Sequence, residues 1–238
     1  MVAALARREA PSTFLNHFRR ATLEAGPTFD EHMNLHVGSN RRKGLARTRR
    51  RLEEVGKVEH ESHSCGEGLE RAVSAFLKIE ASGWKGKRGT ALNCDEQTQQ
   101  FAKAAFTGDE ANSICRADML TVSGVPIAVS LIALAGRTGF AVKACYDESY
   151  RRYSPGLLLE TEVIRSFLSG DWANRLDSAT LGTHVLDDLW PGRTEVADLM
   201  FSLSPRYPKL RLSALKISNQ ATDNIRECLK RLIRRGGH

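Results

Sequence analysis

The amino-acid sequence predicts a mixed α/β (α+β) fold: a mainly antiparallel central sheet flanked by helices. Three observations predict it. A helical apolar period runs from Gly68 to about Ala81 and again from Asp95 to Phe106. From Ser113 to Tyr146 the period becomes that of strands. A Ser154-Pro155-Gly156 turn then opens another amphipathic helix, with strand-like runs after it.

Residues 1–38 mix short apolar groups (Phe14, Leu15, Phe18) with Gly26-Pro27 and Gly38, and read as a loosely structured lead-in. Ser39 is placed to cap a helix from Asn40, because its side-chain oxygen can accept an amide proton that the first turn leaves unpaired; Gly56 is placed to stop it. Lys57 to His63 alternates like a short edge strand. Leu69, Val73, Phe76, Leu77 and Glu80 recur at helical spacing and define one face of the next helix. Gly83 to Gly89 is a glycine-punctuated basic loop. Asp95 then caps a helix that directs Phe101 and Ala105 inward. Ile114–Val122, Val125–Ala135 and Gly139–Tyr146 form an antiparallel meander, turning first at Ser123-Gly124. The helix after Pro155 turns Leu158, Leu159, Glu162, Ile164, Phe167 and Leu168 toward the sheet. Strands at 174–179 and 195–203 follow, and a basic amphipathic helix spans Asn219 to Arg235. The resulting division is a lead-in over 1–38, a main domain over 39–205 and a basic helical extension over 206–238.

The chain has 238 residues, 41% hydrophobic and 26% charged, which suits a globular protein with a sizeable core. Its longest apolar run, Val125 to Ala135, is too short to cross a bilayer as a helix. No signal-type apolar segment follows Arg7 and Arg8, so a cytoplasmic location is expected. Cys65, Cys94, Cys115, Cys145 and Cys228 are odd in number and include no CxxC pair, which argues against a disulfide framework and against a metal site. The net charge of +7 suits a polyanionic partner. Much of the excess lies in two helices. Arg41, Arg42, Lys43, Arg47, Arg49, Arg50 and Arg51 crowd the first, and Arg226, Lys230, Arg231, Arg234 and Arg235 the last. The first lacks the interleaved aromatics of a single-strand binder, which argues against nucleic acid and for a solvated face or an acidic partner domain. Ile225, Leu229, Leu232 and Ile233 suit docking of the last helix on the domain or in a homo-oligomer.

The order of elements places a helix N-terminus after a central strand, where backbone N–H groups and the helix dipole can receive a phosphate. Arg151 and Arg152 flank that turn, and Gly156 permits close backbone approach. By itself this spacing is that of an ordinary helix start. Three stretches add to it: Glu80-Ala81-Ser82-Gly83-Trp84-Lys85-Gly86-Lys87-Arg88-Gly89-Thr90-Ala91-Leu92, then Lys143-Ala144-Cys145-Tyr146-Asp147-Glu148, then Tyr153-Ser154-Pro155-Gly156. With Arg47 to Gly56, Asp177-Ser178-Ala179, and His184 through Asp187, Trp190 and Arg193, they resemble a bacterial GNAT-type family. Its members are called cellulose-biosynthesis or BioF-like acetyltransferases, and are structurally similar to the Fem aminoacyltransferases.

The resemblance implies a GNAT fold that uses acetyl-CoA or another acyl-CoA as co-substrate. Val142, Lys143 and Cys145 would face the pantetheine arm. Ser154, Pro155, Gly156, Leu157 and Leu158 would hold the pyrophosphate, beside Arg151, Arg152 and Tyr153. It also implies direct attack of an amine or hydroxyl on the thioester, with one group to take a proton and one to return it. Asp147, Glu148, Glu160 and His184 could accept a proton, and Tyr146 or Tyr153 could donate one. Trp84 and Lys85 sit in a loop suited to a polar acceptor, as do Asp187, Trp190 and Arg193 with His184. Each of these also has a structural reading: Trp84 as a core plug, Lys143 paired with Asp147 or Glu148, Glu160 as a favourable charge near a helix start, Cys145 as packing. The acceptor expected is a small molecule or an envelope precursor. Two other functions fit the same residues, a non-catalytic basic module on this scaffold and a Fem-like transferase that uses aminoacyl-tRNA.

Overall fold

A computed structural model describes residues 12–107, 114–180 and 185–201. The expected helix over 219–235 and His184 lie outside these residues. The chain divides into two compact units, Arg20–Thr194 and Met1–Arg19 with Glu195–His238. In the second, Asn16 Nδ2 donates to Asp198 Oδ2 at 2.9 Å and Arg19 pairs with Glu195 at 3.0 Å.

The elements are β1 (Ser12–Glu24), α1 (Phe29–His36), α2 (Ser39–Glu53), β2 (Val58–His63), α3 (Gly66–Ser82), α4 (Trp84–Lys87) and α5 (Glu96–Phe106). Then come β3 (Cys115–Val122), β4 (Val125–Ala135), β5 (Thr138–Tyr146), a 3-10 helix (Glu148–Tyr153), α6 (Pro155–Ser169), β6 (Arg175–Asp177), a second 3-10 turn (Val185–Asp188) and β7 (Gly192–Phe201). The strand order is β2-β3-β4-β5-β6-β1-β7, so β2 is an edge strand as expected. β2 to β5 form an antiparallel meander, and β5 pairs with β6 in parallel. Ser123 and Gly124, both at positive φ (49° and 80°), make the tight β3–β4 turn that the right-handed strand twist favours.

Two apolar layers cover the sheet. On one face α3 buries Leu69, Val73 and Phe76 against Ala117, Met119, Val129 and Leu131. On the other, α6 buries Leu158, Leu159, Ile164 and Phe167 against Leu120, Ile127 and Ile132. This alternation along β3 and β4 gives each strand an apolar side chain on both faces, which is why their sequences read as nearly continuous apolar runs.

Several expectations need correction. The expected lead-in contains a strand and a helix. α1 is fixed by a reciprocal box in which Thr28 Oγ1 accepts from Glu31 N at 3.3 Å while Glu31 Oε2 accepts from Thr28 N at 2.8 Å. Ser39 is the first residue of α2 rather than its cap; Gly38 occupies that position with no side-chain bond. Part of the basic loop forms the one-turn helix α4. Asp95 does cap α5, accepting from Thr98 N at 2.8 Å. Phe101, however, is 67% exposed, and Ala102 and Phe106 face the core instead. On α2, Leu45 and Leu52 are buried, and three of the cations are engaged: Arg41 with Asp188, Arg49 with Glu162, and Arg42 with the Met33 carbonyl. No helix among the described residues is long and apolar enough to cross a membrane.

Candidate functional site

The site begins where two strands part. β5 and β6 share only the rungs Thr138↔Arg175, Gly139↔Leu176 and Phe140↔Asp177. β5 continues to Tyr146, whereas the other chain leaves the ladder: Ser178 N donates to Ala21 O at 3.0 Å, and Ala179 takes a left-handed φ of 52°. The gap opens into a cleft of about 680 Å³, within the size range of small-molecule sites.

β5 also carries a bulge. Ala141 pairs with Ile132 and Lys143 with Leu131, so Val142 has no opposite residue. The consequence is a change of parity. Ala141 packs with the α6-side core, yet Cys145, an even number of residues later, packs with the α3-side core. Val142, Ala144 and Tyr146 are thereby left exposed along the open edge, where all three line the cleft.

The mouth of the cleft is a helix start. The Asp147 carboxylate accepts from Ser149 N at 2.9 Å and caps the 3-10 helix. Ser154 then adopts φ 47° and ψ 52°, and Pro155 begins α6 with its fixed φ and no amide proton to leave unpaired. The amides of Leu157 and Leu158 fold back on the Ser154 carbonyl at 3.0 and 3.1 Å. Arg151, Ser154, Gly156 and Leu157 face the cleft, at the positive end of the α6 dipole. A Cβ on Gly156 would meet nothing nearer than Tyr146 Cδ1 at 3.6 Å.

This arrangement of sheet, split and helix start agrees with a sequence profile. The profile of the acetyltransferase (GNAT) domain matches residues 39–177, more than half of the chain. The chain belongs to the GNAT family. Among solved structures, a conserved protein of unknown function from Bacteroides thetaiotaomicron is similar, at 14% identity and a TM-score of 0.51, with 82% of this chain and 64% of that chain covered. The C-terminal domain of a putative lysylphosphatidylglycerol synthetase from Agrobacterium fabrum is similar at 10% identity and a TM-score of 0.53, covering 92% of this chain and 68% of that one. At these identities the likeness is one of fold. The GNAT chain thus spans under two thirds of the Bacteroides protein. A search of curated proteins finds no match.

Deeper in the GNAT cleft stands Glu160. Its carboxyl is buried, and Trp190 Nε1 donates to Oε1 at 2.9 Å. Burial pushes it up to about 8; the Trp190 bond opposes this and the nearby Asp118 charge adds to it. Asp118 itself is fully buried. Burial alone would raise it, but His60 at 2.9 Å, Arg116 at 2.8 Å and Ser62 hold it below the ordinary carboxylate range. Trp190 is held in turn by its own loop: Arg193 Nη1 donates to its carbonyl and Arg193 Nη2 to Asp187 O at 3.0 Å.

A smaller recess lies beside the cleft on the α3–α4 side of β5 and shares Lys85, Ala144, Cys145 and Tyr146 with it. Lys85 Nζ donates to the buried Glu80 carboxylate at 2.7 Å, and Leu92 N donates to its other oxygen at 2.9 Å. Trp84 and Glu148 complete the recess, joined by a bond from Trp84 N to Glu148 Oε1 at 2.9 Å.

The structure therefore brings together Tyr146, Glu160, Val142, Lys143, Cys145, Arg151, Ser154, Gly156 and Leu157 around the cleft, with Lys85 shared and Trp84 in the recess. It separates others. Asp147 is engaged as a cap, and Tyr153, Pro155 and Leu158 are buried. Arg152 stacks on the Tyr153 ring at 4.7 Å. Trp190 is 1% exposed, and neither it, Asp187 nor Arg193 lines the recess with Trp84. Lys143 has no ion pair with Asp147 or Glu148, since Glu148 is taken by Trp84 N and lies near Lys87. Trp84 is not a core plug; it is 53% exposed. The Cys145 thiol points at the Phe76 carbonyl at 3.5 Å, and burial pushes its pKa upward, which suits packing and not nucleophilic attack. Sequence reasoning missed Ser130, Ser178 and Thr180 in the cleft wall, and the Glu80–Lys85 pair. Glu80 did leave a signal, a carboxylate on an otherwise apolar helix face. Among the described residues no group of three or more metal-ligating side chains is assembled.

Proposed function

We propose that this GNAT chain is an acyl-CoA-dependent acyltransferase that acts on an amine or hydroxyl. The observation that carries the reading is the gap between β5 and β6 with the start of α6 at its mouth. An extended pantetheine arm can lie along β5 beyond Phe140, where the strand has no β6 partner, and a pyrophosphate suits the Gly156 amide and the dipole of α6 beside Arg151. Acetyl-CoA is the simplest donor of this class. The resemblance to the cellulose-biosynthesis or BioF-like branch supports a small-molecule or envelope-precursor acceptor, entering by the recess at Trp84 and Lys85.

In the reaction the acceptor nitrogen or oxygen attacks the thioester carbon, the C–S bond breaks, and the departing thiolate takes up a proton while the acceptor loses one. Tyr146 borders both the cleft and the recess, so its phenol is the group we assign to protonating the thiolate. The test is a thermal-shift titration with coenzyme A and its thioesters. A ligand bound by the native state alone raises the apparent melting temperature, by about 2.7 kcal/mol of stability at a hundred times Kd. Gly156→Asp should abolish the shift by setting a carboxylate against the pyrophosphate, while Gly156→Ala, whose Cβ has room, should retain it. No shift with any thioester in the wild type sinks the reading.

A further inference from the structure

The acyl-CoA reading is the basis for an inference about the acyl group itself. The cleft wall holds two buried hydrogen-bonding side chains that keep bonding capacity to spare among the described residues. Ser130 is 4% exposed and Glu160 8%, and both line the cleft. Among the described residues no side chain bonds the Ser130 hydroxyl, and Trp190 alone bonds the Glu160 carboxyl, at Oε1. Both residues line the cleft, within reach of a ligand there.

Their chemistry is complementary to an oxygen. Burial raises the pKa of Glu160 to about 8, which favours its protonated form at neutral pH. Since Oε1 accepts from the indole, Oε2 is the oxygen left to carry the proton. Ser130 can donate or accept. The neighbouring walls, Ala141, Leu159 and Leu186, are apolar, and the Lys85 ammonium is tied to Glu80. Lys143 and Arg151 also line the cleft. A plain alkyl chain would strand both buried polar groups without water, and an acyl carboxylate lodged among Ala141, Leu159 and Leu186 would lose more hydration than a hydroxyl or keto group.

We propose that the donor's acyl group carries a neutral oxygen function, a hydroxyl or keto group, that hydrogen-bonds to Ser130 and Glu160. Ser130 and Glu160 then set donor specificity, by the rule that a site built to bond a substrate oxygen discriminates strongly against the analogue lacking it.

The experiment is calorimetric titration at pH 7 of the full chain with coenzyme A, butyryl-CoA, 3-hydroxybutyryl-CoA and β-alanyl-CoA. Wild type, Ser130→Ala, Glu160→Leu and Glu160→Gln are compared. The expected result is that 3-hydroxybutyryl-CoA binds at least about tenfold more tightly than butyryl-CoA. That ratio should fall toward one in Ser130→Ala and Glu160→Leu, with affinity for coenzyme A unchanged, and persist in Glu160→Gln, which keeps a donor. Should Glu160→Leu fail to fold, Ser130→Ala alone decides. Equal binding of the butyryl and hydroxybutyryl thioesters overturns the proposal. So does tightest binding of the β-alanyl thioester, which would mean that Glu160 ionises to hold an ammonium. Equal loss of coenzyme A affinity in the variants also overturns it, because the two side chains would then hold pantetheine. Failure of every coenzyme A compound to bind removes the acyl-CoA reading, and this proposal with it.

Discussion

Glu160 ties the chemistry of the cleft to the stability of the fold. Its folded pKa, about 8, lies above its ordinary value of 4.5. Between those values the native state holds a proton that the unfolded chain has lost, so stability declines as pH rises through that window. The slope cannot exceed about 1.4 kcal/mol per pH unit for one group. Glu160→Gln, neutral at all pH, should flatten that decline and gain most over wild type above pH 8, as read by urea denaturation at pH 6 and pH 8.5. An unchanged pH slope would mean that Glu160 is ionised in the native cleft. At this scale the sequence was only partly legible. Gly156 is legible because it belongs to a recognisable turn, and Tyr146 because it lies in one of the stretches that carry the resemblance. Trp190 and Glu160 meet across thirty residues of separation, and no local pattern encodes such a pairing. Asp147 was misread for a related reason: a carboxylate before a 3-10 helix looks the same whether it caps the helix or serves a ligand.

Among the elements, α4 shows how a short piece of backbone can position a recess. Its docking on the end of α3 leaves no space at Gly86, where an added Cβ would stand 1.7 Å from the Ala81 carbonyl oxygen. Gly86→Ala should therefore displace α4, costing about 1–3 kcal/mol as overpacking does. The displacement also loosens Lys85 from Glu80. The measurement is a melting curve together with limited trypsin digestion followed by mass spectrometry, where cutting after Lys85, Lys87 and Arg88 should accelerate. Unaltered cleavage would show that the helix shifts without opening. The helices and the meander were readable because period and caps are local, as at Asp95 and along Leu69 to Phe76. β1 and α1 are hidden in the sequence although Thr28-Phe29-Asp30-Glu31 carries a capping-box spacing, because Gly26-Pro27 reads as a break as readily as the approach to a helix. The Val142 bulge left no trace in a run as uniform as Ala141 to Cys145.

For the whole molecule, the order of strands predicts a gradient of opening. β3 and β4 each pair on both sides and are covered by both cores, whereas β2 pairs with β3 alone. Amides of Met119, Leu120, Val129 and Leu131 should be the slowest in hydrogen exchange, close to the rate of global unfolding. The β2 amides should exchange by local fraying. Uniform protection across both would show that the edge opens only with the domain.

The three shared rungs of β5 and β6 carry a last consequence. The aperture is set by where one short strand stops, like a zip halted partway. Lengthening that strand past Asp177 along β5 would narrow the gap, and ending it earlier would widen the throat. Selectivity for ligand girth is thereby tied to a single strand terminus, whose buried Leu176 makes the same residues matter to the core.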